Sequence, residues 1–411
     1  MTTPVLYREQ RLVTMGDTDA SGLIFYPAVS RWAAETFDRW LLDIGHPLKE
    51  MFARGRATPI VHVELWYHVG SKNEVPGRTG FAHLFEHLMF EGSQHYDRGY
   101  FHPLQEAGAA LNGSTNADRT NYWEVVPTNA LDLALWMESD RMGFLLPALT
   151  DAKFSNQREV VLNERRQNYE NRPYGLAGMA IVSELYPPDH PYHWLTIGGA
   201  DDIKAAHIDD VRAFFQKYYH PANASVALAG DIDPELGLLL AEEYFGEIPG
   251  GEKPARVQVT APEPPPEDVK LVLEDRVELP RLYMAWHSPA LFADGDAELD
   301  LVAEVLSSGK TSRLYRALVY EQRIATEVAA SQNSREAGSF FQIVATAAPG
   351  RTLAEIERAI VKELASLIDK GPTAPELERC LAQAEAHFLF RLQTVGGFGG
   401  KSDQLNAYNT F

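Results

Sequence analysis

Residues 81–93 read FAHLFEHLMFEGS, and this stretch constrains the chain more than any other. Its phenylalanine and leucine residues recur at the spacing of one helix face, which predicts an amphipathic helix packed on a core. The same two turns also carry His83, Glu86 and His87. In a helix, His83 and His87 project from one face and Glu86 lies on its flank, so the three side chains can meet at one point.

Two imidazoles one helical turn apart supply two ligands of a tetrahedral zinc site, and the carboxylate between them can take a proton from a water molecule. The order H-x-x-E-H is known as the inverzincin motif. A catalytic zinc site needs a third protein ligand and keeps one position open. Taken alone, this five-letter match fits ordinary, partly buried helix histidines better than it fits a metal site.

The composition is that of a globular chain with an acidic surface. The 411 residues are 45% hydrophobic and 10% aromatic, enough for a large core and two or more domains. The formal net charge of −20 argues against a nucleic acid or an anionic membrane as a partner, because phosphate binding needs a basic surface. A neutral or cationic partner fits better.

Cysteine content and hydropathy limit which metal sites the chain can form and where in the cell we expect it. Cys380 is the only cysteine, which excludes an internal disulfide and a metal site with several thiolates, so a metal would need His and carboxylate ligands. No apolar run approaches the roughly 18 residues of a membrane span, and MTTPVLYREQRLV lacks the basic-then-apolar order of a signal peptide. The sequence therefore predicts no membrane span and, by default, a cytoplasmic chain.

Strand and helix patterns follow one another without a regular β-α rhythm, which predicts an α+β fold. Strand patterns occupy 59–70, 120–127, 224–231, 269–275, 281–288 and 339–347, and long helix patterns occupy 129–145, 151–171 and 351–370. The segment APEPPPED, residues 261–268, predicts an extended linker between two domains because clustered prolines stiffen the chain.

Glu164, in VVLNERRQNYENRPYG, follows His87 after an interval of 76 residues, 88–163, inside a long helix pattern. With this interval, and with LWYHVGSKNEVPGRTG, LNGSTNADRTNYWEVVP and ESDRM, the chain resembles the pitrilysin/insulinase family of zinc peptidases from about residue 63 to its end. The resemblance implies that His83, His87 and Glu164 bind zinc and that Glu86 is the general base. It outweighs the interpretation of ordinary helix histidines.

The resemblance also implies an architecture. Family members close two similar halves around a peptide like a clamshell, and this chain matches one half, built from two sequential α+β domains. We therefore expect a zinc-binding domain at 63–260 and a second domain at 269–411, cut short at its end. A second peptidase half or a partner subunit would complete the enzyme. Related bacterial peptidases are often periplasmic.

Substrate binding follows from the same resemblance. Family members bind the substrate as an added strand beside an edge strand near the metal. The segment LNGST, residues 111–115, matches that region, so Asn112 and Thr115 are candidate substrate-binding residues. The alternative, polar residues of a turn and a strand end, accounts for both equally well.

Residues 16–61, beginning GDTDASGLIFYP, resemble the start of hotdog-fold acyl-CoA thioesterases of the 4-hydroxybenzoyl-CoA type. In that family the second aspartate of the loop, here Asp19, acts as nucleophile or general base on the thioester. Capping of the following helix is the alternative role of Asp19. A complete hotdog domain needs a longer chain, so we interpret residues 1–62 as a partial hotdog segment fused to the peptidase.

The expected function is that of a zinc-dependent endopeptidase half-molecule acting on peptides or small unfolded proteins. One alternative is an acyl-CoA thioesterase in the N-terminal segment. The other is an inactive partner or scaffold subunit, against which the intact HLFEH motif and Glu164 argue.

We predict that residues 1–58 can be deleted without loss of zinc binding, because the predicted metal ligands all follow residue 63. The segment PIVHVELWYHVG must stay, since it supplies a core strand. Limited proteolysis should cleave mainly before Pro59 and leave a fragment that retains zinc. Unfolding of that fragment, or equal protease resistance of the N-terminal segment, would show that the two parts are structurally integrated.

Overall fold

The computed structural model describes residues 59–260, 262 and 267–411. The chain divides into two compact units, Met1–Ile60 and Val61–Phe411, and nearly all described residues belong to the second. Residues 1–58 of the thioesterase-like segment, including Asp19, lie outside the described residues, as does most of the predicted linker at 261–268. The domain boundaries predicted from the sequence stay predictions.

Two β-sheets organise the described residues. The strands are β1 Ile60–Tyr67, β2 Ala110–Thr115, β3 Thr120–Pro127, β4 Ala224–Gly230, β5 Arg281–Ser288, β6 Ala325–Asn333 and β7 Ser339–Ala347. The helices are α1 Phe81–Leu88, α2 Phe101–Glu106, α3 Leu131–Ala148, α4 Asp151–Arg165, α5 Ala177–Leu185, α6 Ala200–Ala205, α7 Ile208–Tyr218, α8 Pro234–Phe245, α9 Asp296–Ser307, α10 Leu353–Lys370, α11 Ala374–Gln393 and α12 Lys401–Thr410. In the described parts of the chain, no helix has the length and apolar character that a membrane crossing requires.

The first sheet has the strand order β2-β3-β1-β4 and the second has the order β5-β7-β6. β1 runs antiparallel to β4, and β2 runs antiparallel to β3 with Asn112 opposite Trp123. In the second sheet, β5 and β6 are both antiparallel to β7. The predicted mixture of helices and strands is confirmed. β2 lies at one edge of the first sheet, which leaves one row of its backbone groups without a neighbouring strand among the described residues.

β1 runs through the middle of the first sheet, and both of its faces are covered. Successive side chains of a strand point to opposite faces, so Val63 and Leu65 enter the hydrophobic core while His62, Glu64 and Trp66 face the other side. These three polar or amphipathic side chains are also buried. Buried polar groups require hydrogen-bond partners. Residues 395–411 supply the partners of His62, whereas Glu64 Oε1 accepts from Trp66 Nε1 and Asn121 Nδ2 at 2.8 Å each.

The C-terminal segment lies against this second face of β1. Ser402 and the backbone N–H of Gly397 hydrogen-bond the two ring nitrogens of His62, the latter at 3.0 Å. Asn406 donates to the carbonyl oxygen of Glu64 at 3.2 Å. A Cβ atom at Gly396 would lie 2.1 Å from the His62 ring, so only glycine allows this close approach.

A buried polar network joins the first sheet to the turn between β6 and β7. Lys72 forms ion pairs with Glu336 and with Asp118, the latter at 3.3 Å from Nζ to Oδ1. His68 Nε2 lies 2.7 Å from the Glu336 carboxylate. Burial opposes ionisation of Glu336, but His68 and Lys72 prevail and lower its pKa to about 2. Removing one charge of such a buried pair typically costs about 3–5 kcal/mol, so this network fixes the two sheets to each other.

The strand predicted at 269–275 is wrong. The structure has no regular element there, and Val269, Leu271, Val272 and Leu273 are exposed. A strand exists only when its backbone pairs with a neighbour, and β5 pairs with β7 alone among the described strands. Alternating hydrophobicity therefore marked a segment with strand propensity that has no strand beside it.

We predict that Glu64→Gln makes the protein more stable at alkaline pH. Burial, with the neighbouring Asp403 carboxylate, raises the pKa of Glu64 to about 8 from 4.5. A carboxyl group whose pKa is higher in the folded state stabilises that state fully at a pH below its unfolded-state pKa. This stabilisation is lost as the pH rises through the folded-state pKa, here between 4.5 and about 8. The amide of glutamine does not ionise, and its oxygen can still accept from Trp66 and Asn121, as Glu64 Oε1 does.

Thermal unfolding at pH 5 and pH 8.5 measures this effect. We expect the advantage of Glu64→Gln in Tm to grow by about 2–4 °C or more at the higher pH. The exposed helix residue Glu159 provides the matched control, Glu159→Gln, and we expect the pH-dependent gain of Glu64→Gln to exceed that of this control. An equal Tm shift of Glu64→Gln at both pH values would contradict the prediction.

Candidate metal centre

Helix α1 separates an apolar face from a polar one. Phe81, Leu84, Phe85 and Leu88 follow the i, i+3, i+4, i+7 pattern and are all buried in the core of the first sheet. Packing of this face fixes the rotation of the helix, so His83, Glu86 and His87 are left partly exposed on the opposite side. The two imidazole rings are perpendicular, with centroids 4.8 Å apart.

Glu164 reaches the two histidines from α4. Its Oε2 atom lies 3.5 Å from His83 Nε2 and 3.4 Å from His87 Nε2. Val161 and Leu162 of α4 are buried in the same core as α1, which places the last turn of α4 against the histidine face. Among the described residues this is the one group of three or more His, Cys, Asp or Glu side chains that could hold a metal ion.

The distances from Glu164 to the two histidines fit a zinc ion. Ligands bound at about 2.0–2.1 Å in tetrahedral geometry lie about 3.3–3.4 Å from one another, close to the distances from Glu164 to each histidine. Two imidazole nitrogens and one carboxylate oxygen form a donor set that catalytic zinc sites use. His83, His87 and Glu164 could therefore hold zinc and leave one coordination position open.

The protonation states of the site also suit a cation. Burial lowers the pKa of His83 to about 4, so its imidazole is neutral at neutral pH and offers a lone pair. Burial also acts against the charged form of His87, but Glu164 and Glu86 prevail and raise its pKa. The hydrogen bond to His87 in turn lowers the pKa of Glu164. Metal ligands must be deprotonated, so a cation would displace the proton of His87.

Glu86 lies beside the ligands, on the flank of α1 that faces β2. Burial raises the pKa of Glu86, although Thr115 and His87 both stabilise its charged form. A carboxyl group with a pKa raised toward neutrality can accept a proton and release it again, which is the property of a general base. The structure thus brings His83, His87, Glu164 and Glu86 together.

The two candidate substrate-binding residues lie on edge strand β2. Asn112 is exposed, and its Oδ1 accepts a hydrogen bond from Gly113 N at 2.8 Å. Thr115, at the end of the strand, is next to Glu86. The roles predicted for both residues stay predictions, as does that of Asp19.

Sequence reasoning missed the residues that support the ligands. Asn168 Nδ2 donates to Glu164 Oε1 at 3.3 Å, and Gln157 lies close enough to His87 to help raise its pKa. Both lie near the face of Glu164, at i+4 and i−7, so helical spacing from a known ligand could have found them. Glu74 accepts hydrogen bonds from the start of α1, and no local pattern marks it.

Two family models match the chain. The insulinase model of peptidase family M16 matches residues 52–186, and the model described as the peptidase M16 inactive domain matches residues 206–384. The chain belongs to peptidase family M16. All four residues of the candidate metal centre lie in the segment that the insulinase model matches.

Relatives of this M16 chain include named zinc proteases. The zinc protease PqqE of Helicobacter pylori is 29% identical over 346 residues, which are 84% of this chain and 77% of that protein. The crystal structure of a protease from Helicobacter pylori superimposes with a TM-score of 0.77 at 29% identity and covers 82% of this chain and 81% of that one.

The periplasmic protease PqqL of Escherichia coli shares the fold at 18% identity, with a TM-score of 0.65. That match covers 85% of this M16 chain but 39% of PqqL. The M16 family matches begin at residue 52, and the thioesterase-like interpretation of residues 1–62 stays a prediction.

Proposed function

We propose that this M16 chain is a zinc-dependent endopeptidase that works as one half of a two-half enzyme. The observation that carries the proposal is the convergence of His83, His87 and Glu164, with the Glu164 carboxylate 3.5 Å and 3.4 Å from the two Nε2 atoms. Glu86 lies beside them with a raised pKa, as hydrolysis requires of a base.

A zinc ion held by these three residues would supply a Lewis acid that polarises a peptide carbonyl and eases the ionisation of a water molecule. His83 and His87, deprotonated and held by α1, act as ligands only. Glu86 accepts the proton of the attacking water and then delivers it to the nitrogen of the leaving amine. The attack on the carbonyl carbon breaks the peptide bond once that nitrogen is protonated.

The edge of β2 offers a place for the substrate. Its free backbone groups can hydrogen-bond an extended peptide as an additional strand, beside the helix that carries the metal ligands. Asn112 and Thr115 would then flank the bound peptide. The net charge of −20 favours neutral or cationic peptides over acidic ones.

A partner half remains part of the proposal. The match to Escherichia coli PqqL spans less than half of that protein, and the match to the separately solved first half of PqqL spans 72% of it. A second subunit with the same fold would enclose the peptide against β2.

The alternative of an inactive subunit has one observation in its favour. Residues 206–384 match a model described as an inactive domain. The candidate metal centre lies outside those residues, and all of its side chains are intact. Peptide cleavage by the purified, zinc-loaded chain would exclude the inactive subunit.

We predict one zinc ion per chain, lost on replacement of any ligand. Loss of a group that hydrogen-bonds a metal ligand typically weakens metal binding by roughly 10- to 100-fold. We expect His83→Ala and Glu164→Gln, which remove the ligands themselves, to weaken zinc binding by more than that. Elemental analysis and chelator competition measure this. The matched control is His102→Ala, since His102 is an exposed residue of α2 and contacts no metal-site residue. A full equivalent of zinc on His83→Ala would contradict the ligand assignment.

We predict that Glu86→Gln keeps its zinc but loses peptide cleavage. The amide has the same shape and cannot accept the proton, so kcat should fall by about 10²–10⁴. The assay is hydrolysis of an unstructured, fluorogenic peptide by the wild type and the variant at equal zinc content. Equal turnover would remove Glu86 from the mechanism, and cleavage by the zinc-loaded wild type would exclude the inactive subunit.

A further inference from the structure

The start of α1 has an unusual cap. The first N–H groups of a helix have no partner within the helix and need one elsewhere. The residue before α1 is Gly80, which has no side chain to offer, and the first turn contains no acidic residue. A carboxylate from six positions upstream, that of Glu74, occupies this place instead.

Glu74 accepts three hydrogen bonds inside the protein. Its Oε2 atom accepts from the backbone N–H of Gly80 at 2.9 Å and from the indole N–H of Trp194 at 3.0 Å. Its Oε1 atom accepts from the backbone N–H of Ala82 at 2.8 Å. The side chain is 7% exposed, so water cannot replace these bonds.

The segment that follows Trp194 also packs against the start of α1. Gly198 passes so close that a Cβ atom there would lie 2.4 Å from the Cα of Gly80. Gly80 itself has a φ of 91°, which glycine adopts without strain. The helix start is therefore held between the Glu74 carboxylate and the 194–198 segment.

These contacts of Glu74 and the 194–198 segment stabilise a helix that is too short to be stable by itself. α1 has eight residues, too few for stability without tertiary contacts, and it carries both candidate histidine ligands and Glu86. Metal ligands must be held within about 0.5 Å of their working positions. Ala82, whose N–H is bonded to Glu74, directly precedes the ligand His83.

We propose that Glu74 is a positioning residue of the metal centre, which sets the place of the ligand-bearing helix through its backbone N–H groups. This role rests on the zinc site proposed above. Burial raises the pKa of Glu74 to about 8, against the opposing effect of the N–H donors. The role is that of a hydrogen-bond acceptor and does not require a particular charge.

The test compares Glu74→Gln with the wild type in the full-length chain. The amide keeps one acceptor oxygen and turns an N–H₂ group toward the remaining donors, so one bond is lost and α1 shifts. We expect zinc affinity of the folded protein, measured by chelator competition, to fall about 10- to 100-fold. The visible absorption spectrum of the Co²⁺-substituted protein should also change, because it reports ligand geometry.

A matched control separates positioning from general stability. Asp296 is a buried carboxylate at the start of α9 that accepts from Phe292 N at 3.0 Å and from Gln332 at 2.8 Å. Asp296→Asn should lower Tm and leave zinc affinity and the Co²⁺ spectrum unchanged. If Glu74→Gln behaves in the same way, Glu74 has only a structural role and the proposal is wrong.

A second variant covers the case in which Glu74→Gln does not fold. Trp194→Phe removes one donor to Glu74 without leaving an unpaired polar group. We expect this variant, like Glu74→Gln, to bind zinc more weakly, by several-fold. Unchanged zinc affinity of Trp194→Phe overturns the proposal. A wild type that binds no zinc would instead refute the proposed metal centre itself, so the two failures are distinguishable.

Discussion

Burial of the apolar face of α1 is the interaction on which the rest of the site depends. Leu84 and Phe85 are completely buried, and the ring of Phe85 stacks on that of Tyr219 with centroids 5.0 Å apart. A helix packed this way has one possible rotation, because turning it would expose large hydrophobic side chains. His83 and His87 therefore point toward α4, where Glu164 lies, before any cation is bound.

The second sheet contributes to this arrangement from a distance. Lys72 and Glu336 connect the turn between β6 and β7 to Asp118, which lies in the turn between β2 and β3. The backbone N–H of Glu336 also donates to Asp118 at 3.1 Å. The edge strand β2 is thereby held in place by residues of the segment that matches the inactive-domain model. A part of the chain without candidate metal ligands thus fixes the hairpin that we propose as the place of the substrate.

The sequence predicted those features that depend on local spacing. The helix face, the pairing of His83 with His87 and the strand at 120–127 follow from periods of 3.6 and 2. Glu164 needed a family resemblance, since 76 residues of chain separate it from His87 and nothing local joins them. Glu74 was missed because two of its bonds go to backbone N–H groups, which leave no trace in the pattern of side chains, and the third goes to the distant Trp194. The error at 269–275 has the opposite cause: its pattern is that of a strand, but pairing depends on a neighbour that local sequence does not specify.

The central claim is that two histidines of one helix and one distant glutamate form a single zinc site. X-ray absorption at the zinc K-edge of the purified protein tests it most directly. The account predicts a first shell of nitrogen and oxygen atoms at about 2.0–2.1 Å, with outer-shell scattering from two imidazole rings. Scattering from one imidazole or none, or a shell that Glu164→Gln leaves unchanged, would contradict it.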